Sequence, residues 1–192
     1  RENDLYALSV LTGSGNTVAL KLTNAGLTKT IKLTLGQPYL DCIYNAGVLG
    51  PQNEGAVPCN EDEFDAVMRT NVLGALRAIP VVAPALVKRG GTFAFLSSTM
   101  GSIGLMSSTR RVVYRASKAA LNAVVKTASL EWGPKGVTCI SFHPGWVKTD
   151  MGGSDADIDP TTSITGMRRV IAGATPALNG HFVDYTGKEQ PW

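Results

Sequence analysis

The stretch VVYRASKAAL, residues 112–121, sets a tyrosine and a lysine four positions apart in a small and apolar run. On a helix, residues at i and i+4 lie one above the other on one face, so Tyr114 and Lys118 would act on one small volume. The chemistry open to such a pair is proton transfer. A free phenol titrates near pH ~10 and is a poor acid–base group at neutrality. A cation one turn away favours the phenolate and is expected to pull the Tyr114 pKa down. The same spacing also fits an ordinary solvated helix face, so the neighbours have to decide. Other polar clusters follow apolar runs: YNAG at 44–47, SSTMGS at 97–102 and HPGWVKTD at 143–150. His143 and His181 have no ligand-spaced partners, which argues against a metal site.

The elements that must position these groups read as alternating strands and helices. Residues 17–22, 39–47, 91–98 and 137–145 are β-branched, aromatic or Leu-rich and bounded by Gly, Pro or Asn. They are continuous rather than alternating, as suits strands buried on both faces of a parallel sheet. A last short strand is expected at 180–185. Helices are expected over 61–88, 113–132 and 161–173, with a weaker, Thr-rich one over 27–35. Asn60 and Glu63 have the form of an N-cap with its reciprocal N3 partner. Pro80 and Pro84 should kink or shorten the long helix. The pattern gives one α/β domain, residues 1–192, with a parallel sheet. Ligands of such sheets bind at the carboxyl ends of the strands, and the three polar clusters fall at those ends. GSG at 13–15 precedes a strand rather than following one, and reads as a turn.

Composition narrows the function classes. The chain has 192 residues, enough for one well-cored domain, and is 44% hydrophobic and 17% charged. A net charge of +3, with no Lys/Arg block longer than two, implies neither nucleic acid nor an anionic membrane as a partner. Cys42, Cys59 and Cys139 lie in no Cys-x-x-Cys, and read as reduced thiols of a cytoplasmic protein, two of them in strands. Each apolar run is too short to cross a bilayer, and no signal peptide is expected.

Taken in order, NAG at 45–47, the Asn of MRTNVLG at 71, SS at 97–98, YRASK at 114–118 and HPGWVKTDM at 143–151 resemble the short-chain dehydrogenase/reductases. Together with YRASKAALN and the ending FVDYTGKEQPW, they look most like the carbonyl reductases of the sniffer and C-factor type. The resemblance implies a Rossmann-like, doubly wound parallel sheet and an NAD(P)-dependent carbonyl reductase or alcohol dehydrogenase. Tyr114 would be its general acid/base. Lys118 would hold the nicotinamide ribose, Ser98 would hydrogen-bond the reacting oxygen, and Asn71 would anchor a proton-relay water. Ser98 is preferred to Ser97 because Ser98-x-x-Gly101 matches the family pattern. It stands sixteen residues before Tyr114, three more than the family's usual spacing, so a small insertion is expected between them. Cofactor contacts are implied for Arg1, Leu22, Asn45, Ala46, Gly47, Tyr114, Lys118, Pro144, Gly145, Val147 and Thr149. Substrate contacts are implied for Ser98, Trp146 and Met151, and with Ile158 these hint at an apolar ligand. Arg1 resembles the arginine that meets the 2′-phosphate in NADP-preferring relatives, so NADP is expected, with NAD the alternative. Lys21 stands where the family commonly has an Asp beside the adenine. A homodimer or homotetramer is expected through helices 61–88 and 113–132, with Val67, Leu76, Leu121 and Val125 in the seam. The reading from another class is a non-enzymatic dinucleotide-binding regulator or signalling protein on the same fold.

RENDLYALSVL at the start resembles the segment after the second strand of this fold, so the first strand, its Gly-rich turn and its helix are expected to be missing from these residues. The natural protein should then carry roughly 30 more residues upstream, a strand–helix–strand unit with Gly-x-x-x-Gly-x-Gly at its turn. N-terminal sequencing with intact mass of the purified protein checks this. A folded 192-residue chain that still binds NADP(H) would overturn it.

Overall fold

The structure is a computed structural model that describes residues 7–11, 17–24, 27–34, 41–52, 55, 57 and 59–192. In chain order the elements are β1 (Ala7–Leu11), β2 (Thr17–Asn24), β3 (Leu27–Thr34), β4 (Cys42–Tyr44), α1 (Glu61–Met68) and α2 (Gly74–Val87). They continue with β5 (Thr92–Leu96), α3 (Val112–Trp132), β6 (Thr138–His143), α4 (Pro160–Ala172) and β7 (Phe182–Asp184). Strands β4, β5, β6 and β7 form one parallel sheet in that order. Residues on β5 and β6 are buried on both faces, as their continuous apolar runs require. Phe93, Phe95 and Cys139 pack with Ala75, Ala78, Ile79, Ala83 and Leu86 of α2 and with Leu121, Val125 and Ala128 of α3. The alternate residues Ala94, Ile140 and Phe142 pack with Met167 and Ile171 of α4. Helices therefore cover both faces of a parallel sheet, the doubly wound arrangement the sequence implied.

Three expectations are corrected. The run 17–22 forms a strand, but β2 pairs antiparallel with β1 and with β3 and lies in a separate three-stranded sheet. The expected helix over 27–35 is the strand β3. Its sequence, LTKTIKLT, carries four β-branched residues, which resist the helix and suit the sheet. Among the described residues β4 pairs only with β5, so its other edge carries no ladder. The third correction concerns the seam: Val67, Leu121 and Val125 are at most 1% exposed and belong to the chain's own core. Leu76 is 48% exposed, and remains available to a partner.

The long helix is one helical tract, Glu61–Val87, interrupted by a π turn at Arg69–Leu73. Asn60 caps it by accepting from Asp62 N at 2.8 Å, while Glu63 returns no reciprocal bond among the described residues. Pro80 and Pro84 do not break α2. Both stand on its exposed side, where water can satisfy the carbonyls their missing N–H groups leave free. At 27 residues this tract is, by length and composition, long and apolar enough to cross a membrane, unlike the expectation that each apolar run is too short. Its inward face is the core just described, and its outward face carries Phe64, Leu76 and Val81. Cys42, Cys59 and Cys139 are free thiols, and burial pushes Cys42 to about 11 and Cys139 to about 12.

Gly101 ends a short 3₁₀ turn that lies flush against α3. A Cβ there would come within 2.6–2.8 Å of Lys118 C and Cβ and of Ala119 N, which are mostly backbone and cannot give way. Gly101→Ala should therefore cost about 1–3 kcal/mol from overpacking. Leu121→Ala, which empties a fully buried position, should cost about 2–5 kcal/mol. Urea denaturation followed by circular dichroism reads both.

Candidate active site

The parallel register brings the strand ends to one level. Tyr44 stands beside Phe95, Leu96 beside Phe142, and His143 beside Asp184. The loops leaving β4, β5 and β6, which carry Asn45–Gly47, Ser97–Ser98 and Pro144–Thr149, thus start from one edge of the sheet. Helix α3 crosses behind them and presents Tyr114, Ser117 and Lys118, all buried.

Tyr114 is 7% exposed, and the Ser98 hydroxyl acts on its phenol in the direction that favours the phenolate. Ser98 Oγ also accepts from Met100 N at 3.1 Å, which caps the 3₁₀ turn and leaves the hydroxyl proton free to donate. Ser97 instead turns its hydroxyl to the Lys118 carbonyl, at 3.4 Å. Lys118 Nζ donates to the Leu96 carbonyl at 2.8 Å and lies 5.6 Å from the centre of the Tyr114 ring. Burial pulls the Lys118 ammonium down to about 8, so it still carries its proton at neutral pH.

The expected lowering of the Tyr114 pKa is not what this environment does. Burial pushes the phenol above its usual value, against the Ser98 hydrogen bond and the charge of Arg111, which favour the phenolate. Desolvation outweighs both, because taking a charge out of water costs more than one hydrogen bond and one cation return. A phenol held protonated at neutral pH is a proton donor.

Asn71 sits in the π turn, fully buried. Its Oδ1 accepts from Val48 N at 2.8 Å, while its Nδ2 donates to Val48 O at 2.9 Å and to Ser117 Oγ at 2.9 Å. Ser117 Oγ donates in turn to the Tyr114 carbonyl at 2.7 Å. One amide therefore ties the loop after β4 to the helix that bears the Tyr–Lys pair. The π turn makes this possible. Gly74 N bonds to Arg69 O, five residues back, and the Tyr44 hydroxyl donates to Thr70 O at 3.0 Å. Tyr44 presses on Gly74 so closely that no Cβ would fit there.

Between Lys118 and Asn71 lies Gly47. A Cβ on it would stand 3.3 Å from Lys118 Nζ and 3.6 Å from Asn71 Oδ1. The ammonium has N–H groups beyond the one used on Leu96 O, and the glycine leaves their approach open. That suits the ribose hydroxyls which the resemblance would place there. Asn45 and Ala46 are exposed just before it.

On the far side, Ser163 Oγ donates to Pro144 O at 2.6 Å and anchors the loop to α4. Gly145 takes φ +87°, and a Cβ there would run into Ile158 and the Tyr185 ring. Val147 bridges Ile158, and Thr149 Oγ1 donates to Val147 O at 3.3 Å. Trp146 Nε1 donates to Gly152 O at 2.8 Å, folding the loop on itself and leaving Trp146 and Met151 about half exposed. Leu22 falls in β2, outside the parallel sheet, and Arg1 lies outside the described residues. Ser98, Tyr114, Lys118, Asn71 and Gly47 are thus brought together, and Leu22 is not part of that cluster. Sequence reasoning passed over Ser117 and Arg111, and noted Tyr44 only as a departure from the double Asn usual in the resembling family. The available signal for Ser117 was a small polar residue one turn from Tyr114; for Arg111 it was an arginine pair just before a helix.

Residues 18–158 match the family model described as short chain dehydrogenase. The C-signal protein of Myxococcus xanthus is 43% identical over 125 residues, which are 64% of this chain and 74% of that protein. An uncharacterized oxidoreductase of Saccharomyces cerevisiae is 38% identical over 135 residues, 62% of this chain and 53% of that protein. Among solved structures, the carbonyl reductase Sniffer of D. melanogaster has a TM-score of 0.75 at 32% identity, with 79% of this chain and 66% of that one covered. An NADPH-bound carbonyl reductase from chicken fatty liver has a TM-score of 0.70 at 31% identity, with 78% and 64% covered. The chain spans about half to three quarters of the length of these proteins. With the matched segment running through the π turn, Ser98, Tyr114 and Lys118, the chain belongs to the short chain dehydrogenase family.

Proposed function

We propose that the protein is an NADP(H)-dependent carbonyl reductase, working in reverse as a secondary alcohol dehydrogenase. The observation that carries this reading is the buried Ser98–Tyr114–Lys118 cluster at the carboxyl edge of the sheet. A module that only bound a dinucleotide would have no need of a buried proton donor. The 43% identity to a protein named C-signal favours a signalling role as the second reading. Turnover separates the two.

The nicotinamide, when bound, supplies the hydride. Tyr114 gives its proton to the carbonyl oxygen as charge develops there, and Ser98 donates a hydrogen bond to the same oxygen. The phenolate left behind faces the Lys118 ammonium, which stabilises it until a solvent proton returns. Lys118 would hold the ribose, with Gly47 leaving its approach open. Asn71 fixes the distance between that loop and α3, and a relay water beside it would return the proton. Pro144, Gly145, Val147 and Thr149 would hold the cofactor from the loop after β6, while Trp146 and Met151 would offer an apolar wall to the substrate. NADP(H) is favoured over NAD(H) by Arg1 and by the bound cofactors of the chicken reductase and of a Pseudomonas aeruginosa carbonyl reductase.

Tyr114→Phe deletes one oxygen and keeps the ring, so packing barely changes while the proton donor is lost. Turnover of a panel of aldehydes and ketones with NADPH, read by nicotinamide absorbance, should fall ~10²–10⁴-fold. Lys118→Ala should weaken both turnover and NADPH binding. A Tyr114→Phe enzyme within threefold of wild type would remove the assignment, and so would a wild type inert on the entire panel.

The groove between α2 and α3 is lined by Leu76, Ile79, Pro80, Val124 and Trp132, and Leu130 is 70% exposed nearby on α3. Such an apolar helix pair suits a two-fold dimer of this chain. Light scattering should report at least a dimer at micromolar concentration, and Leu76→Glu should shift it to monomer.

A further inference from the structure

The last residue of β4, Tyr44, sends its hydroxyl to the long helix, where it donates to Thr70 O at 3.0 Å. In a regular α-helix that carbonyl would accept from Gly74 N, four residues on. Here Gly74 N reaches one residue further, to Arg69 O, and the tyrosine hydroxyl serves the Thr70 carbonyl. The hydroxyl stands where a Cβ on residue 74 would be, so its approach requires glycine there. The ring is held in turn, tilted against Phe95 with centroids 6.0 Å apart. Within the same turn lies Asn71, whose amide holds Val48 N, Val48 O and Ser117 Oγ. One residue of helix corresponds to a rotation of roughly 100° about the axis. Val67 before the turn and Ala75 and Ala78 after it are buried, so a return of Gly74 N to Thr70 O would fall on the turn that carries Asn71. Asn71 Oδ1 stands 3.6 Å, and Lys118 Nζ 3.3 Å, from the point a Cβ on Gly47 would occupy. The amide, the β4 loop and the ammonium thus share one small volume, and a displaced Asn71 would release the loop from it.

We propose that Tyr44 is a positioning residue for the cofactor: by occupying the Thr70 carbonyl it holds the π turn, and through Asn71 it keeps the 45–48 loop set against Lys118, where the nicotinamide ribose would bind. It acts from one helical turn away, through the backbone of the long helix and one amide. The identity of the ligand rests on the NADP(H) reading above, whereas the clamp of Tyr44, Asn71 and Val48 does not.

Tyr44→Phe keeps the ring and removes the hydroxyl. Amide hydrogen exchange of the ligand-free full-length protein, resolved by NMR, reads the clamp, because the Val48 amide donates to Asn71 Oδ1. NADPH binding, followed by nicotinamide fluorescence, reads its consequence without turnover. In the variant the Val48 amide should exchange roughly tenfold faster while amides of β5 and β6 keep their protection. NADPH should bind roughly three- to tenfold more weakly, the range of one net hydrogen bond. Gly74→Ala should reproduce both changes, since its methyl would drive the hydroxyl off Thr70 O. The double variant should lose no more than either single one, because the oxygen that clashes is already gone. Val48 protection untouched by Tyr44→Phe would overturn the proposal. Protection lost equally across β5 and β6 would also overturn it, since that marks general destabilisation. So would losses that add in the double variant, or an unchanged NADPH affinity with Val48 deprotected. A wild type that binds no NADPH, with Val48 behaving as expected, would leave the clamp standing and sink the reductase reading instead.

Discussion

The burial of one ammonium group constrains much of this site. Lys118 is 4% exposed, and the one hydrogen bond of its ammonium among the described residues goes to the last carbonyl of β5. Burial moves it from 10.5 to about 8, which corresponds to on the order of 3 kcal/mol against the charged folded state. The unfolded chain binds the extra proton between those two values, so this cost is present at neutral pH and fades only as the pH rises from about 8 toward 10.5. The surroundings hold the lysine in place regardless. Gly101 lets the Ser98 turn press against its backbone, Ser97 bonds its carbonyl, and Gly47 keeps its head open to a ligand. Two missing side chains and two serines therefore shape one cation.

The second constraint is carried by an amide. Asn71 would be mildly unfavourable in the middle of an ordinary helix, where side-chain amides compete with the backbone. Here the helix gives up its regular ladder for one turn, as π turns at functional positions commonly do. The Tyr44 hydroxyl occupies the Thr70 carbonyl, and Asn71 spends its hydrogen bonds on Val48 and Ser117. Burial pushes the Tyr44 phenol to about 12, so it stays a neutral hydrogen-bond donor throughout the physiological range. The distance between the β4 loop and α3 is thus set by neutral hydrogen bonds within the core, independent of pH in that range.

Apolar burial supplies the frame on which these polar contacts are held. Each face of the sheet has its own cluster, one under α2 and α3 and one under α4. Helix α3 is common to both roles: Leu121, Val125 and Ala128 lie in the core, while Tyr114, Ser117 and Lys118 lie at the site. A rigid helix with its lower half packed in the core places its upper half with little freedom, which suits groups that must meet a reacting atom within a few tenths of an ångström.

By itself, the sequence determined the strands β5 and β6 and the helices α3 and α4, while the grouping of Ser98, Tyr114, Lys118 and Asn71 in one site was what the family resemblance implied. Those elements have local signals: continuous apolar runs bounded by Gly and Pro, and polar residues at strand ends. It did not determine the N-terminal strands, because LTKTIKLT has no partner in its own pattern and its pairing is settled by what lies beside it. Nor could it tell which apolar residues of a long helix turn inward, since one π turn shifts the phase of everything after it; Val67 was misplaced for the same lack of depth information. The direction of the Tyr114 shift also belonged to the tertiary structure alone. Spacing brings a lysine near a tyrosine, but only the packed interior fixes how much water both have lost, and here that loss outweighs the charge.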